Sequence, residues 1–200
     1  MVHQVLGKHM IRIDRDIASF TDADACKAIA SETRKIMDFW QYDSKGWAPT
    51  DVSEILGKSK LEWQSSLAKA IRIWLSGDSE GELILAWANL GALVEGLLKL
   101  FLCVYLHDYH KAERVWTGNG QLKTPDGEIL YNIQKFFADE VWSSTQKADW
   151  DPWIEHIRKR RNSIHAFKSQ DLGTFDEWKK DLRIHLMFIR ELNAQMPYPE

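Results

Sequence analysis

Trp153-Ile-Glu-His-Ile-Arg-Lys-Arg-Arg-Asn-Ser-Ile-His-Ala-Phe167 reads as a single helix with a core face and a charged face. Its apolar residues fall at Trp153, Ile154, Ile157, Ile164 and Phe167, a helical recurrence rather than a strand alternation. Asp151-Pro152 just before it combines an acidic cap with the proline that suits a first helical turn. The expected helix therefore runs from Pro152 to about Lys168. It carries four consecutive cations, Arg158, Lys159, Arg160 and Arg161, then Asn162 and, one turn past Arg161, His165.

Angles decide which of these act together. With Arg158 at zero, Arg161 lies about 60° to one side, Asn162 about 40° to the other, and His165 about 20° away. Arg160 lies about 140° from His165 and points elsewhere. Arg158, Arg161, Asn162 and His165 thus form one polar, basic stripe. The residues alone leave two readings open: a solvated helix face, or a surface that meets an anion.

The run Arg161-Asn162-Ser163-Ile164-His165-Ala166-Phe167, late in a helical chain, resembles the signature of the HEPN superfamily. That pattern is an arginine, usually followed by a polar residue such as Asn, with a histidine further along. Three residues separate Arg161 from His165, one fewer than the family's usual minimum. Arg160 has the usual spacing but faces away, and Arg158 has spacing and face but lacks the following Asn. Leu90-Gly91-Ala92-Leu93-Val94-Glu95-Gly96-Leu97-Leu98-Lys99 also resembles a core helix of bacterial HEPN-like proteins.

The resemblance implies an all-α fold and a metal-independent endoribonuclease that needs no cofactor. His165 would move the proton of the ribose 2′-hydroxyl or of the leaving 5′-oxygen, since an imidazole titrates near neutrality. Arg161 would neutralise the pentacoordinate phosphate, and Asn162 would hold the histidine or a phosphate oxygen. Arg158, Lys159 and Arg160 would bind the RNA substrate. One helix supplies an acid or a base but not easily both, so the resemblance also implies a homodimer with two motif helices across one cleft. Many bacterial members are toxins or phage-defence effectors, which adds an antitoxin or another protein to the expected partners. The rival reading is a non-catalytic HEPN-like module that binds a protein, a nucleotide or RNA through the same stripe. A third is an unrelated all-α protein in which Arg161 and His165 are incidental.

Composition sets the frame for these expectations. Two hundred residues suit one domain, and 44% hydrophobic residues with ten tryptophans can build a large core. A net charge of −3 excludes a globally basic nucleic-acid binder, so such binding must rest on local charge. Cys26 and Cys103 lie in apolar helical patterns and read as buried thiols of a reducing cytoplasm. Met1 to Lys8 lack the apolar core of a signal peptide. Leu83 to Leu106 is long enough to suggest a membrane span, but Glu95 and Lys99 interrupt it at the i,i+4 spacing of a helical ion pair. It reads as the central rod of a bundle, with no membrane partner.

Along the chain, Ile11-Arg12-Ile13-Asp14 alternates briefly, so residues 1–20 suggest a short strand or an extended N-terminal arm, and Thr21 caps a helix to about Tyr42. Thr50 or Ser53 starts the next, which bends or restarts at Gly57 and ends before Gly77. Asp78 or Ser79 caps the central helix to about His107. Residues 111–127 hold turn chemistries, Thr117-Gly118-Asn119-Gly120 and Pro125-Asp126-Gly127, suited to a small hairpin or a surface loop. Ile129–Val141 is helical, and Gly173-Thr174 precedes a last amphipathic helix through Leu192. The expected fold is an all-α bundle of five to seven helices in one domain.

Other candidates carry less. His107 and His110 at i,i+3 could begin a metal site, but further ligands are missing, so no metal is assigned. His156 lies about 180° from His165 and is left out of the site. His185 reads as a hydrogen-bonded core or interface residue. Most tryptophans read as core, while Trp116 in the irregular stretch and Trp150 or Trp153 beside the motif could stack on bases.

Overall fold

The structure, a computed structural model, describes residues 11–112, 122–165 and 170–199. Among them every element is helical. Seven α-helices exceed one turn: α2 (Asp22–Asp38), α3 (Thr50–Lys58), α4 (Leu61–Ala70), α5 (Glu80–Val104), α7 (Leu130–Phe136), α8 (Ser144–Arg161) and α9 (Phe175–Gln195). Two single-turn helices join them, α1 (Arg15–Ala18) and α6 (Leu106–Tyr109). The all-α bundle expected from periodicity is what forms.

The rod at its centre is α5. Ser79 caps it: the Ser79 hydroxyl accepts the Glu82 N–H at 3.3 Å and the Glu82 carboxylate accepts the Ser79 N–H at 3.1 Å. The helix is long and apolar enough to cross a membrane. Fifteen of its residues are nonetheless buried, including Trp87, Leu90, Val94 and Leu98. It is covered by α3, α4, α8 and α9, as a core helix of a soluble bundle would be. Glu95 and Lys99 do pair, at 2.9 Å.

Two indoles fasten α5 to the start of α9. Trp178 donates to the Ala86 carbonyl at 3.1 Å and Trp87 to the Leu172 carbonyl at 2.9 Å. Thr174 caps α9 by accepting the Glu177 N–H at 3.2 Å. Thr21 caps α2 in the same way at 3.1 Å. One hydrophobic cluster runs from Ile17 to Met196, so the chain closes on a continuous core.

Several boundaries differ from expectation for identifiable reasons. The described part of residues 1–20 is not a free arm: Ile17 is fully buried, and Arg190 of α9 ties Asp16 of α1, at 3.0 Å, to Glu32 of α2, at 2.9 Å. The break after Thr50 comes at Ser59-Lys60, where Ser59 takes extended backbone, and not at Gly57, which sits inside α3. Residues 113–121, which hold Trp116 and the first turn motif, lie outside the described residues; Pro125–Gly127 forms one 3₁₀ turn.

The larger correction concerns α8. It begins at Ser144, so Pro152 is interior and Asp151 is not its cap. Ser143 and Gln146 form a reciprocal capping box, with the Ser143 hydroxyl accepting from Gln146 at 3.3 Å and the Gln146 side chain accepting from Ser143 at 3.1 Å. An interior proline costs about 3 kcal/mol. Burial of Trp150, Trp153, Ile154 and Ile157 on both sides of it offsets that cost. At its other end α8 tightens into a 3₁₀ turn over Asn162–His165, so the α-helical angles used beyond Arg161 do not hold.

Candidate functional site

Arg161, the last residue of α8, lies across α5. A Cβ on Gly91 would meet the Arg161 Cβ, Cγ and Cδ at 2.7, 2.8 and 2.9 Å, so only glycine admits the arginine stem there. The stem leads the guanidinium to Glu95, with Nη1 2.7 Å from Oε2. The approach satisfies an ion pair without the alignment of a hydrogen bond. Glu95 is shared with Lys99, whose ammonium also donates to the Asp126 carbonyl at 3.0 Å. The two segments singled out in the sequence therefore touch, through Gly91, Glu95 and Arg161. A third of the Arg161 side chain stays open to solvent.

Asn162 and His165 stand at the two ends of the 3₁₀ turn, where residues three apart eclipse. His165 is exposed and Asn162 half-buried, and neither side chain bonds to another described residue. Ser163 points inward instead. Ile164, expected in the core, is 48% exposed because the tighter turn rotates it outward. Phe167 lies outside the described residues.

The remaining cations take separate roles. Arg158 forks onto Glu155, with Nε and Nη2 each 2.8 Å from a carboxylate oxygen, and its guanidinium lies 5.3 Å from the Tyr131 ring centre. Lys159 reaches the same carboxylate at 3.3 Å and is otherwise exposed. The Arg158 fork holds the Glu155 carboxyl below its ordinary range. Arg160, expected among the substrate-binding residues, is buried and unavailable to a substrate. It pairs with Asp171 at 3.0 Å and Glu177 at 3.4 Å and lies 5.7 Å from the Trp87 ring centre. Asp171 in turn accepts the Gly173 N–H at 3.0 Å, which, with Arg160, lowers its carboxyl. Gly173 itself takes φ 64°, the left-handed conformation this turn requires. Arg160 is thus a structural staple between α8 and the entry to α9.

Each of the four cations is matched by a carboxylate, so the cluster does not project a large positive field. What it offers is two positioned guanidinium groups, Arg158 on Glu155 and Arg161 on Glu95, with an exposed His165 four residues beyond Arg161.

His156, left out of the site on angular grounds, has a partner that the sequence did not reveal. Its Nε2 lies 3.0 Å from Asp181 of α9, and the other Asp181 oxygen accepts the Trp153 indole N–H at 2.9 Å. Its ring meets Trp87 edge-on at 5.5 Å. A part-exposed imidazole held by a buried carboxylate is the equipment of an acid–base group, here on α8 itself. Spacing within α8 cannot show it, because Asp181 lies on another helix.

His185 is 1% exposed with neither ring nitrogen hydrogen-bonded among the described residues, so it is core but not the bonded residue expected. Burial pushes its pKa down to about 3. Trp150 and Trp153 are buried at 4% and 6% exposure and cannot stack on bases. His107 pairs with Asp51 at 2.7 Å, and no metal-binding group of three or more ligands forms among the described residues. Burial raises the Cys26 thiol to about 11 and the Cys103 thiol to about 12, as inert core residues. Compared with protein-family models, with curated proteins and with solved structures, the chain matches none.

Proposed function

We propose that the α8 end of this bundle is the active edge of a HEPN-like, metal-independent endoribonuclease working in a reducing cytoplasm. The observation that carries the reading is Arg161, seated on Gly91 and held by Glu95, part-open one turn from the exposed His165. Phosphodiester cleavage by an internal hydroxyl requires a positioned guanidinium and an accessible imidazole, and Arg161 and His165 would supply them. The ribose O2′ loses its proton and attacks phosphorus while the P–O5′ bond breaks. Arg161 bears the charge on the phosphorane, Asn162 orients it, and Arg158 supports the strand. The products are a 2′,3′-cyclic phosphate and a 5′-hydroxyl.

One His165 acts as base or as acid. The second is supplied by another copy of the chain in an isologous dimer. A toxin or phage-defence role, with an antitoxin as partner, follows from the family resemblance rather than from any contact in the chain. Induced expression in bacteria tests this role. A nuclease toxin arrests growth and His165→Ala relieves the arrest; normal growth with the parent chain contradicts it.

A second reading is favoured by the carboxylates that match Arg158, Lys159, Arg160 and Arg161. With its charge neutralised internally, the edge suits a non-catalytic module that binds a protein, a nucleotide or RNA. Under that reading both forms are tolerated in cells.

A further inference from the structure

One cation outside α8 bears on Arg161. Gly91, Glu95 and Lys99 recur every four residues of α5, so they form one row along that helix. Arg161 enters the row at Gly91 and brings its guanidinium to Glu95 Oε2 at 2.7 Å. Lys99 reaches the other oxygen, Oε1, at 2.9 Å. Two cations therefore share one carboxylate, and this corner keeps a net positive charge.

The lysine is held, unlike a loose surface cation. Its side chain is 24% exposed, and it donates to the Asp126 carbonyl at 3.0 Å in the 3₁₀ turn Pro125–Gly127. Glu95 is 14% exposed, so little water comes between the three charges. Arg158 and Lys159 share Glu155 in a similar way, but Lys159 is 66% exposed and water screens its charge. The Asp126 carboxylate is exposed and screened as well.

Among the described residues Glu95 Oε2 is buried without a hydrogen bond. Arg161 is drawn to it by charge, while its N–H groups are not spent on it. A carboxylate facing a guanidinium alone tends to take two of its donors in a fork and to cancel its charge. Lys99, seated on the second oxygen, opposes both effects.

We infer that Lys99 is a positioning residue for phosphate recognition at the α8 edge: by occupying Glu95 Oε1 it keeps Arg161 end-on and leaves the guanidinium charge to phosphoryl oxygens. The inference rests on the ribonuclease reading for the identity of the phosphate. It extends that reading to a residue of α5 that acts through Arg161 and need not touch the substrate.

Charge balance supplies the test. Lys99→Met leaves Arg161 and Glu95 to neutralise each other. Lys99→Met/Glu95→Gln restores the net charge without the lysine, and glutamine keeps the shape and a carbonyl acceptor. Cleavage of a single-stranded RNA by the full chain is compared across the parent, these two variants and Lys99→Arg, with circular dichroism confirming that each folds. Lys99→Met is expected to lose about tenfold in kcat/KM, the effect of one charge at this range in partly screened surroundings. The loss should fall more on kcat than on KM, because the phosphorane carries more charge than the bound phosphate. Lys99→Arg should match the parent, and the double variant should be faster than Lys99→Met, whereas a merely structural lysine makes the double variant worse. Binding of a 2′-O-methyl RNA of about twelve nucleotides, which has no free 2′-hydroxyl to attack, reads the same balance without catalysis. It should weaken by a smaller factor in Lys99→Met and recover in the double variant. Parent-like cutting and binding by Lys99→Met, or a double variant poorer than Lys99→Met, would overturn the inference and leave the nuclease reading standing. A parent that never cuts, with binding in the expected order, removes the nuclease reading and keeps the role of Lys99 at an anion site. A parent that neither cuts nor binds removes both.

Discussion

Gly91 of α5 and Arg161 of α8 are mutually exclusive with any side chain at position 91: an added Cβ would lie 2.7 Å from the Arg161 Cβ. The contact sets how closely α8 lies on α5, and so where the guanidinium stands relative to Glu95. Gly91→Ala is therefore expected to cost about 1–3 kcal/mol by overpacking and to displace Arg161. Gly57→Ala, in α3 with nothing within 4 Å of the new methyl, should instead gain about 0.4–1 kcal/mol. Urea unfolding of both variants checks the contrast; equal effects of one sign would refute the contact.

Arg160 and Lys159 are neighbours with opposite consequences. Removing Arg160 opens a space beside Trp87 and frees the turn that Asp171 holds, while the exposed Asp171 and Glu177 carboxylates stay solvated, so Arg160→Ala should destabilise by about 1–3 kcal/mol. Arg160→Lys should recover little, since one ammonium cannot reproduce the fork. Lys159→Ala should stay within about 0.5 kcal/mol. Thermal melts of the three variants test this, and a tolerated Arg160→Ala would contradict the staple.

His185 makes stability fall with acid. Its folded pKa, about 3, lies below the ordinary 6.5, so below pH 6.5 the unfolded chain takes up a proton that the folded chain refuses. Stability from this group is complete above pH 6.5 and declines by up to about 1.4 kcal/mol per pH unit until the folded pKa is passed. Replacing the imidazole with a methionine, which fills similar space without titrating, should flatten that limb of the unfolding profile between pH 6 and 4. An unchanged slope would show that His185 is protonated or solvated in the folded chain.

The bundle was legible because its signals are local. Thr21, Ser79 and Thr174 announce helix starts by capping chemistry, and the i,i+4 pair of Glu95 and Lys99 distinguished a core rod from a membrane span. Asp151-Pro152 misled because it has the form of a start, while the true start at Ser143 rests on a quieter Ser–Gln box. In the site, Glu155 was readable as a partner of Arg158 and Lys159 by its spacing. Glu95, Asp171, Glu177 and Asp181 were not, because their pairing with α8 exists only once α5 and α9 are packed against it. The outward turn of Ile164 follows from the 3₁₀ ending, which no residue in the motif announces.

Cleavage of a mixed RNA pool in EDTA by the purified parent chain, Arg161→Ala and His165→Ala tests the central claim most directly. The account predicts that the parent alone cuts and leaves 2′,3′-cyclic phosphate ends, while both variants fold and lose at least a hundredfold in rate, the lower range for a lost acid–base group or charge stabiliser. Absence of cutting by the parent at high protein concentration, or cutting that survives His165→Ala, would contradict it.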